Sequence, residues 1–172
     1  CYDSKNYWRR EYFPEYKAGR RKSRETSSHD WNDIFECLNI IKSEIKDNFP
    51  YKVLEVYGAE ADDIIATLCG ELEFDNGKTL ILSGDKDFIQ LHKFKNVKQY
   101  SPITKKFING EDPKEYLYQH ILKGDSSDGV PNVLSPDNTF VDGLRQRPLS
   151  KKKISEWAGP LCEQILPNDE IK

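Results

Sequence analysis

At 172 residues the chain can bury one core and a small additional lobe. Charged residues make up 32% of it, and no apolar run approaches the ~20 residues of a membrane span, so a membrane protein is not expected. Nothing resembles a secretory signal, and the four scattered cysteines (Cys1, Cys37, Cys69, Cys162) sit within apolar patterns, so they read as reduced, buried thiols of a cytoplasmic protein. The formal net charge of −3 hides an asymmetry. Residues 1–25 concentrate Lys5, Arg9, Arg10, Lys17, Arg20, Arg21, Lys22 and Arg24, and a second basic run holds Lys93, Lys95, Lys98, Lys105 and Lys106. Such patches beside clustered acids suit a polyanionic partner.

In chain order, residues 7–25 mix aromatics and cations, with Pro14 and Gly19 interrupting any long helix. From Asp33, the positions Ile34, Leu38, Ile41 and Ile45 follow helical spacing until Pro50, and this stripe is expected to be core. Lys52 to Val56 reads as a short strand. A helix from about Ala61 should turn Ile64, Ile65, Leu68, Cys69 and Leu72 inward. Asn76-Gly77 marks a tight turn before a strand at Thr79–Leu82, then a helical turn runs through Phe88 to His92 and a further strand lies near Val97 to Tyr100. After Pro113 a helix spans Lys114 to Lys123, and a loop at Leu134 to Thr139 leads to a final helix carrying Lys151, Lys152, Lys153, Ile154, Trp157 and Leu161. Strands alternating with helices predict an α/β fold with a mostly parallel twisted sheet flanked by helices over residues 1–112. Residues 113–172 read as a small, incomplete helical lobe. The chain holds no methionine and reaches its first acid after two residues, which suggests a fragment whose beginning is missing.

Three acidic clusters punctuate this frame: Glu60-Ala-Asp62-Asp63, Ser-Gly-Asp85-Lys-Asp87 and Gly-Asp125-Ser-Ser-Asp128-Gly-Val-Pro. Each places carboxylates two or three positions apart at the end of a strand or the start of a helix. Gathered together they would repel unless cations lay between them. Oxygen donors without His or Cys favour Mg²⁺, with Mn²⁺ as a plausible substitute, and such sites usually act on phosphates. The three histidines His29, His92 and His120 show no ligand spacing and read as surface residues. Trp8, Trp31 and Trp157 read as packing residues. In parallel sheets ligands bind beyond the carboxyl ends of the strands, which would put Asp85, Asp87 and Glu60 to Asp63 at one edge.

The run Tyr-Trp-Arg-Arg-Glu-Tyr-Phe-Pro-Glu-Tyr-Lys17 and the three acidic motifs resemble, in order, the motifs of structure-specific 5′ nucleases, the flap endonuclease family. The segment Gln-Leu-His92-Lys-Phe-Lys-Asn-Val-Lys-Gln-Tyr-Ser-Pro most resembles the T-even phage ribonuclease H type. The resemblance implies a PIN-like domain followed by a helix-hairpin-helix-like lobe, and hydrolysis with two Mg²⁺ ions near the 5′ end of RNA·DNA or branched DNA, as in primer removal during replication. It implies first-ion ligands at Asp3, Glu60, Asp62 and Asp85, and Asp87, Asp125 and Asp128 on the second-ion side. It also implies that Lys17 and Arg20 contact the scissile phosphate and that Tyr16 can stack on an unpaired base. Arg9, Arg10, Arg21, Lys22, Lys93, Lys95, Lys105 and Lys106 are the further candidates for nucleic-acid binding. A sliding clamp and a single-strand-binding protein are conceivable partners of what reads as a monomer. Where the family carries a Gly-rich hairpin, this chain has the stretch from Leu134 to Gly143. Two other readings stay open at this point: a non-catalytic branched-DNA-binding module, and a PIN-type nuclease for single-stranded RNA.

Overall fold

The computed structural model describes residues 1–74, 77–110 and 112–164, apart from the side chains of residues 22, 73, 74 and 161–164. The expected turn at Asn76, the side chains of Lys22, Leu161 and Cys162, and the chain beyond residue 164 therefore lie outside the described residues. Two compact units form, one from Cys1–Ile65 with Ser127–Gly129, the other from Ala66–Ser126 with the chain from Val130 onward. The expected boundary between residues 112 and 113 falls inside the second unit. No helix among the described residues is long and apolar enough to cross a membrane.

The first unit holds α1 (Arg9–Tyr12), α2 (Gly19–Glu25), α3 (Trp31–Asn48) and the first turn of α4 (Ala61–Phe74). Pro14 and Gly19 divide α1 from α2 as their backbone restrictions dictate. The Asp30 carboxylate accepts from the amides of Asn32 and Asp33, so α3 begins two residues before the apolar stripe suggests. That stripe is not core: no residue of α3 is buried, and Leu38 and Ile41 are 47% and 50% exposed. Cys37, on the same helix, is exposed, as is Cys1, and only Cys69 keeps the expected burial among the described cysteines. Helical spacing fixes the direction in which apolar side chains point; burial needs a partner surface that spacing does not reveal. The same correction applies to α4, where Ile64 and Cys69 are buried but Leu68 and Leu72 are 38% and 40% exposed.

The expected strand at Lys52 to Val56 is reduced to a single parallel bridge between Tyr2 and Glu55, with the Tyr2 amide donating to the Leu54 carbonyl at 2.9 Å. One bridge is not a ladder, and only repeated pairing makes a strand. The bridge nevertheless brings Asp3 alongside the start of α4, whose Ala61 amide donates to the Asp3 carboxylate at 2.7 Å.

The second unit is built on a sheet in the order β1 (Thr79–Leu82), β2 (Val97–Ser101), β3 (Lys106–Ile108). β1 runs parallel to β2, with Thr79 opposite Val97 and Leu82 opposite Tyr100. β3 returns antiparallel, Lys106 facing Ser101, and was not anticipated. Its cationic start masks it, and Lys105 makes the turn in the left-handed region at φ 55°. Between β1 and β2 a 3₁₀ helix (Lys86–Lys93) buries Phe88, Ile89 and Leu91. α5 (Pro113–Lys123) is capped by the Asp112 carboxylate, which accepts from the Glu115 amide at 2.8 Å, with Pro113 in the first turn. It packs on the 3₁₀ helix and on α6 (Lys151–Gln164), where Leu122, Ile154 and Ala158 form a core flanked by Tyr118 and Leu149. Trp157 stays 37% exposed.

Gly124 ends α5 at φ 69° and ψ −179°, a region essentially closed to side-chain-bearing residues. A Cβ there would also lie 2.4 Å from the Pro131 carbonyl oxygen. The glycine delivers the chain directly into Asp125, whose backbone exchanges two 2.8 Å hydrogen bonds with Val130.

Candidate metal centre and basic cluster

In the second unit, β1 ends at Leu82 and the chain passes through Ser83 and Gly84 to Asp85, which caps the 3₁₀ helix by accepting from the Asp87 amide at 3.0 Å. The fully buried Gln99 of β2 fastens this turn, its amide donating to the carbonyls of Ser83 at 2.9 Å and Asp85 at 2.6 Å, while its oxygen faces His92 at 3.1 Å. Asp87 then points to α5. Tyr116 donates to its carboxylate at 3.3 Å, and the His120 Nε2 lies 3.6 Å from Asp87 Oδ1 and 3.7 Å from Asp125 Oδ2. One potential ligand atom from each of Asp87, His120 and Asp125 falls within 4.8 Å of the others.

His120 corrects the surface assignment: it lies inside the acid group. The available signal was its place five residues before Asp125 on the helix that Gly124 terminates. Burial raises the Asp87 pKa above the ordinary value; His120 opposes that shift, while the charges of Asp85 and Asp125 reinforce it. A carboxylate pressed by neighbouring like charges is an environment in which a bound cation is stabilising. The donor set therefore fits a divalent ion, and it contains one nitrogen among oxygens.

The first unit gathers the other predicted residues. Glu60, 2% exposed, is ringed by donors: Lys17 Nζ in a short contact, Arg9 at 2.9 Å and the Tyr16 hydroxyl at 2.8 Å. Asp63 takes Arg9 through two bonds of 2.8 Å, and Trp8 at 3.1 Å. Burial works against ionisation of Asp63, but the Arg9 guanidinium, the Glu60 amide and Trp8 outweigh it and hold the carboxyl below its usual range. Asp128 binds Arg20 at 2.5 Å and the Tyr16 hydroxyl at 3.0 Å, with Lys17 at 3.8 Å. Asp125 and Asp128, expected on one side, thus belong to different units. Asp62 is exposed at the start of α4, and Asp3 is taken up with the Ala61 amide.

Tyr16 departs from the expected base-stacking role. It is 7% exposed, its ring edge-on to Tyr7 at 6.2 Å, and burial followed by its bond to Glu60 drives its pKa well above the ordinary value. Its hydroxyl lies between the Glu60 and Asp128 carboxylates, and in this arrangement the ring is buried. Arg9, expected to meet nucleic acid, is spent on Glu60 and Asp63. Arg10, Lys17, Arg20, Arg21 and Arg24 line, with Tyr7, a cavity of about 320 Å³. In the second unit Lys93, Lys95, Lys105 and Lys106 are all exposed.

Residues 1–119 match the family described as 5'-3' exonuclease, N-terminal resolvase-like domain. The chain is 41% identical over 163 residues to ribonuclease H of Enterobacteria phage T4, a match covering 91% of this chain and 53% of that protein. It is 35% identical to a 5'-3' exonuclease of Buchnera aphidicola over 76% of this chain and 45% of that one. The chain thus spans about half the length of these relatives. In fold it is similar to the bacteriophage T5 flap endonuclease, crystallised with DNA and metal ions, at a TM-score of 0.67 and 20% identity over 91% of this chain and 66% of that one. It is also similar to a T5 5'-exonuclease with bound zinc ions, at a TM-score of 0.67 and 20% identity over 91% of this chain and 67% of that one. With the motif order, the α/β frame and the family match over residues 1–119 in agreement, the chain belongs to the 5'-3' exonuclease family through its N-terminal resolvase-like domain.

Proposed function

We propose that this protein is a metal-dependent 5′ to 3′ exonuclease or flap endonuclease, hydrolysing phosphodiesters near the 5′ end of RNA·DNA or branched DNA, as in primer removal during replication. The observation that carries the reading is the convergence of Asp87, Asp125 and His120 within 4.8 Å, beside Asp85, in a chain of this family. Asp85, Asp87 and Asp125 are the side chains assigned to a divalent ion, Mg²⁺ with Mn²⁺ as substitute. Asp3, Glu60 and Asp62 are assigned to a second ion, which requires Glu60 to be released from Lys17 and Arg9. When bound, such ions supply a water of lowered pKa and stabilise the leaving oxygen.

The chain's own residues do the rest. Lys17 and Arg20, once freed of Glu60 and Asp128, stabilise negative charge growing on the phosphoryl oxygens. The arginines of the basic cavity and Lys93, Lys95, Lys105 and Lys106 hold backbone phosphates without reading sequence, so binding weakens steeply as salt rises. The test is a gel assay on a 5′-labelled flap duplex and on RNA·DNA, with a closed circular duplex as control. Short 5′ products are expected only with Mg²⁺ or Mn²⁺ and only where a 5′ end exists. Cleavage that survives excess chelator, or binding of the flap without turnover in any divalent metal, overturns the assignment.

A further inference from the structure

We propose that His120 is itself a cation ligand, so that Asp87, Asp125 and the imidazole form a mixed nitrogen–oxygen site that holds ions accepting imidazole, such as Mn²⁺, Co²⁺ and Zn²⁺, more tightly than the two carboxylates alone would. The inference rests on reading the acid group as a metal centre and adds to it the identity of one donor and the ion preference that donor confers.

Three features of the second unit carry it. Nε2 stands 3.6 and 3.7 Å from the two carboxylate oxygens, beyond a proper hydrogen bond to either. Ligands about 2.0–2.2 Å from a common ion lie roughly 3 to 4.2 Å apart, and these separations fall in that range. Second, the ring does not wander. It stacks on Tyr116 one helical turn earlier, centroids 5.7 Å apart and planes at 13°, and the Tyr116 hydroxyl in turn donates to Asp87. A side chain that fixes a ligand's orientation while bonding to a neighbouring ligand is the usual outer support of a metal site. Third, the backbone places the imidazole against Asp125: the His120 carbonyl accepts from the Gly124 amide at 2.9 Å, closing α5 immediately before the acid. The competing arrangement is an imidazolium resting between two carboxylates with no metal bound by nitrogen. Softer imidazole favours Zn²⁺, Co²⁺ and Ni²⁺, whereas oxygen-only sets favour Mg²⁺.

The chain has three histidines, which makes the test clean. Pulsed electron paramagnetic resonance on the Mn²⁺-loaded chain should show ¹⁴N coupling from a bound imidazole. The coupling should persist when His29 and His92 are both changed to Gln, and vanish in His120→Gln. In parallel, calorimetric titration should show Zn²⁺ affinity falling at least about tenfold in His120→Gln, the smallest effect typical of removing even a partner of a ligand, with Mg²⁺ affinity little changed. Thermal melting of His120→Gln close to that of the parent chain confirms that the variant is folded. If Mn²⁺ binds but ¹⁴N coupling is absent, or survives His120→Gln, the ligand role of His120 is overturned while the nuclease reading stands. If no divalent ion binds at all, both fall.

Discussion

Asp125→Asn is expected to lower Mg²⁺-dependent cleavage of a 5′-flap by more than about 100-fold, because losing even an outer partner of a metal ligand typically costs 10–100-fold. The change is close to isosteric, and the position of residue 125 is set by backbone bonds to Val130 and by Gly124, none of which the substitution touches. It removes one of the charges that push the Asp87 carboxyl up. Thermal stability without metal should therefore hold or rise slightly while activity collapses. That opposition separates a ligand from a residue needed only for folding. A parallel loss of both would mean that Asp125 serves the fold alone.

Lys17→Met is expected to damage both properties, and for separable reasons. Its side chain is 9% exposed and its ammonium faces Glu60, whose side chain is 3% exposed. Removing one partner of a buried pair leaves the other charge uncompensated, at a cost that reaches about 3–5 kcal/mol. Arg9 and the Tyr16 hydroxyl remain on Glu60, so the lower end, about 3 kcal/mol, is expected here. Loss of a donor to the transition-state phosphate adds about 10²–10³ in rate. Combining Lys17→Met with Glu60→Gln should recover much of the stability, because the stranded charge is gone, yet recover none of the activity. Denaturant melts and single-turnover rates on the four members of the cycle distinguish the two contributions. Recovery of activity in the double variant would show that Lys17 acts only by neutralising Glu60 and that Glu60 is not needed as an ion ligand.

Much of the frame was legible because it is local. Thr79–Leu82 is a short β-rich run bounded by a turn, the α5 helix carries its own cap and proline, and Pro14 and Gly19 break the N-terminal helices where their backbones require. The acid clusters were legible for the same reason, since each sits at the end of an element that its own neighbours define. What sequence could not give was partnership. The α3 stripe has helical spacing and no burial; Lys52 to Val56 has strand composition and a single bridge. Gln99, fully buried, looks like an ordinary polar strand residue until its amide is seen holding the carbonyls of Ser83 and Asp85. His120 and Tyr16 were misjudged in opposite directions, one thought to be at the surface and found among acids, the other thought to be available to a base and found buried between Glu60 and Asp128. For Gln99 and Tyr16, and for His120 with Asp87, the deciding contact joins residues distant in the chain.

Anomalous diffraction from crystals of the chain grown with Mn²⁺ addresses the metal centre directly. A peak bounded by the Asp87 and Asp125 carboxylates, with the His120 imidazole at coordinating distance, is the predicted result. Mn²⁺ found only elsewhere, with the carboxylates of Asp87 and Asp125 turned apart, would contradict it.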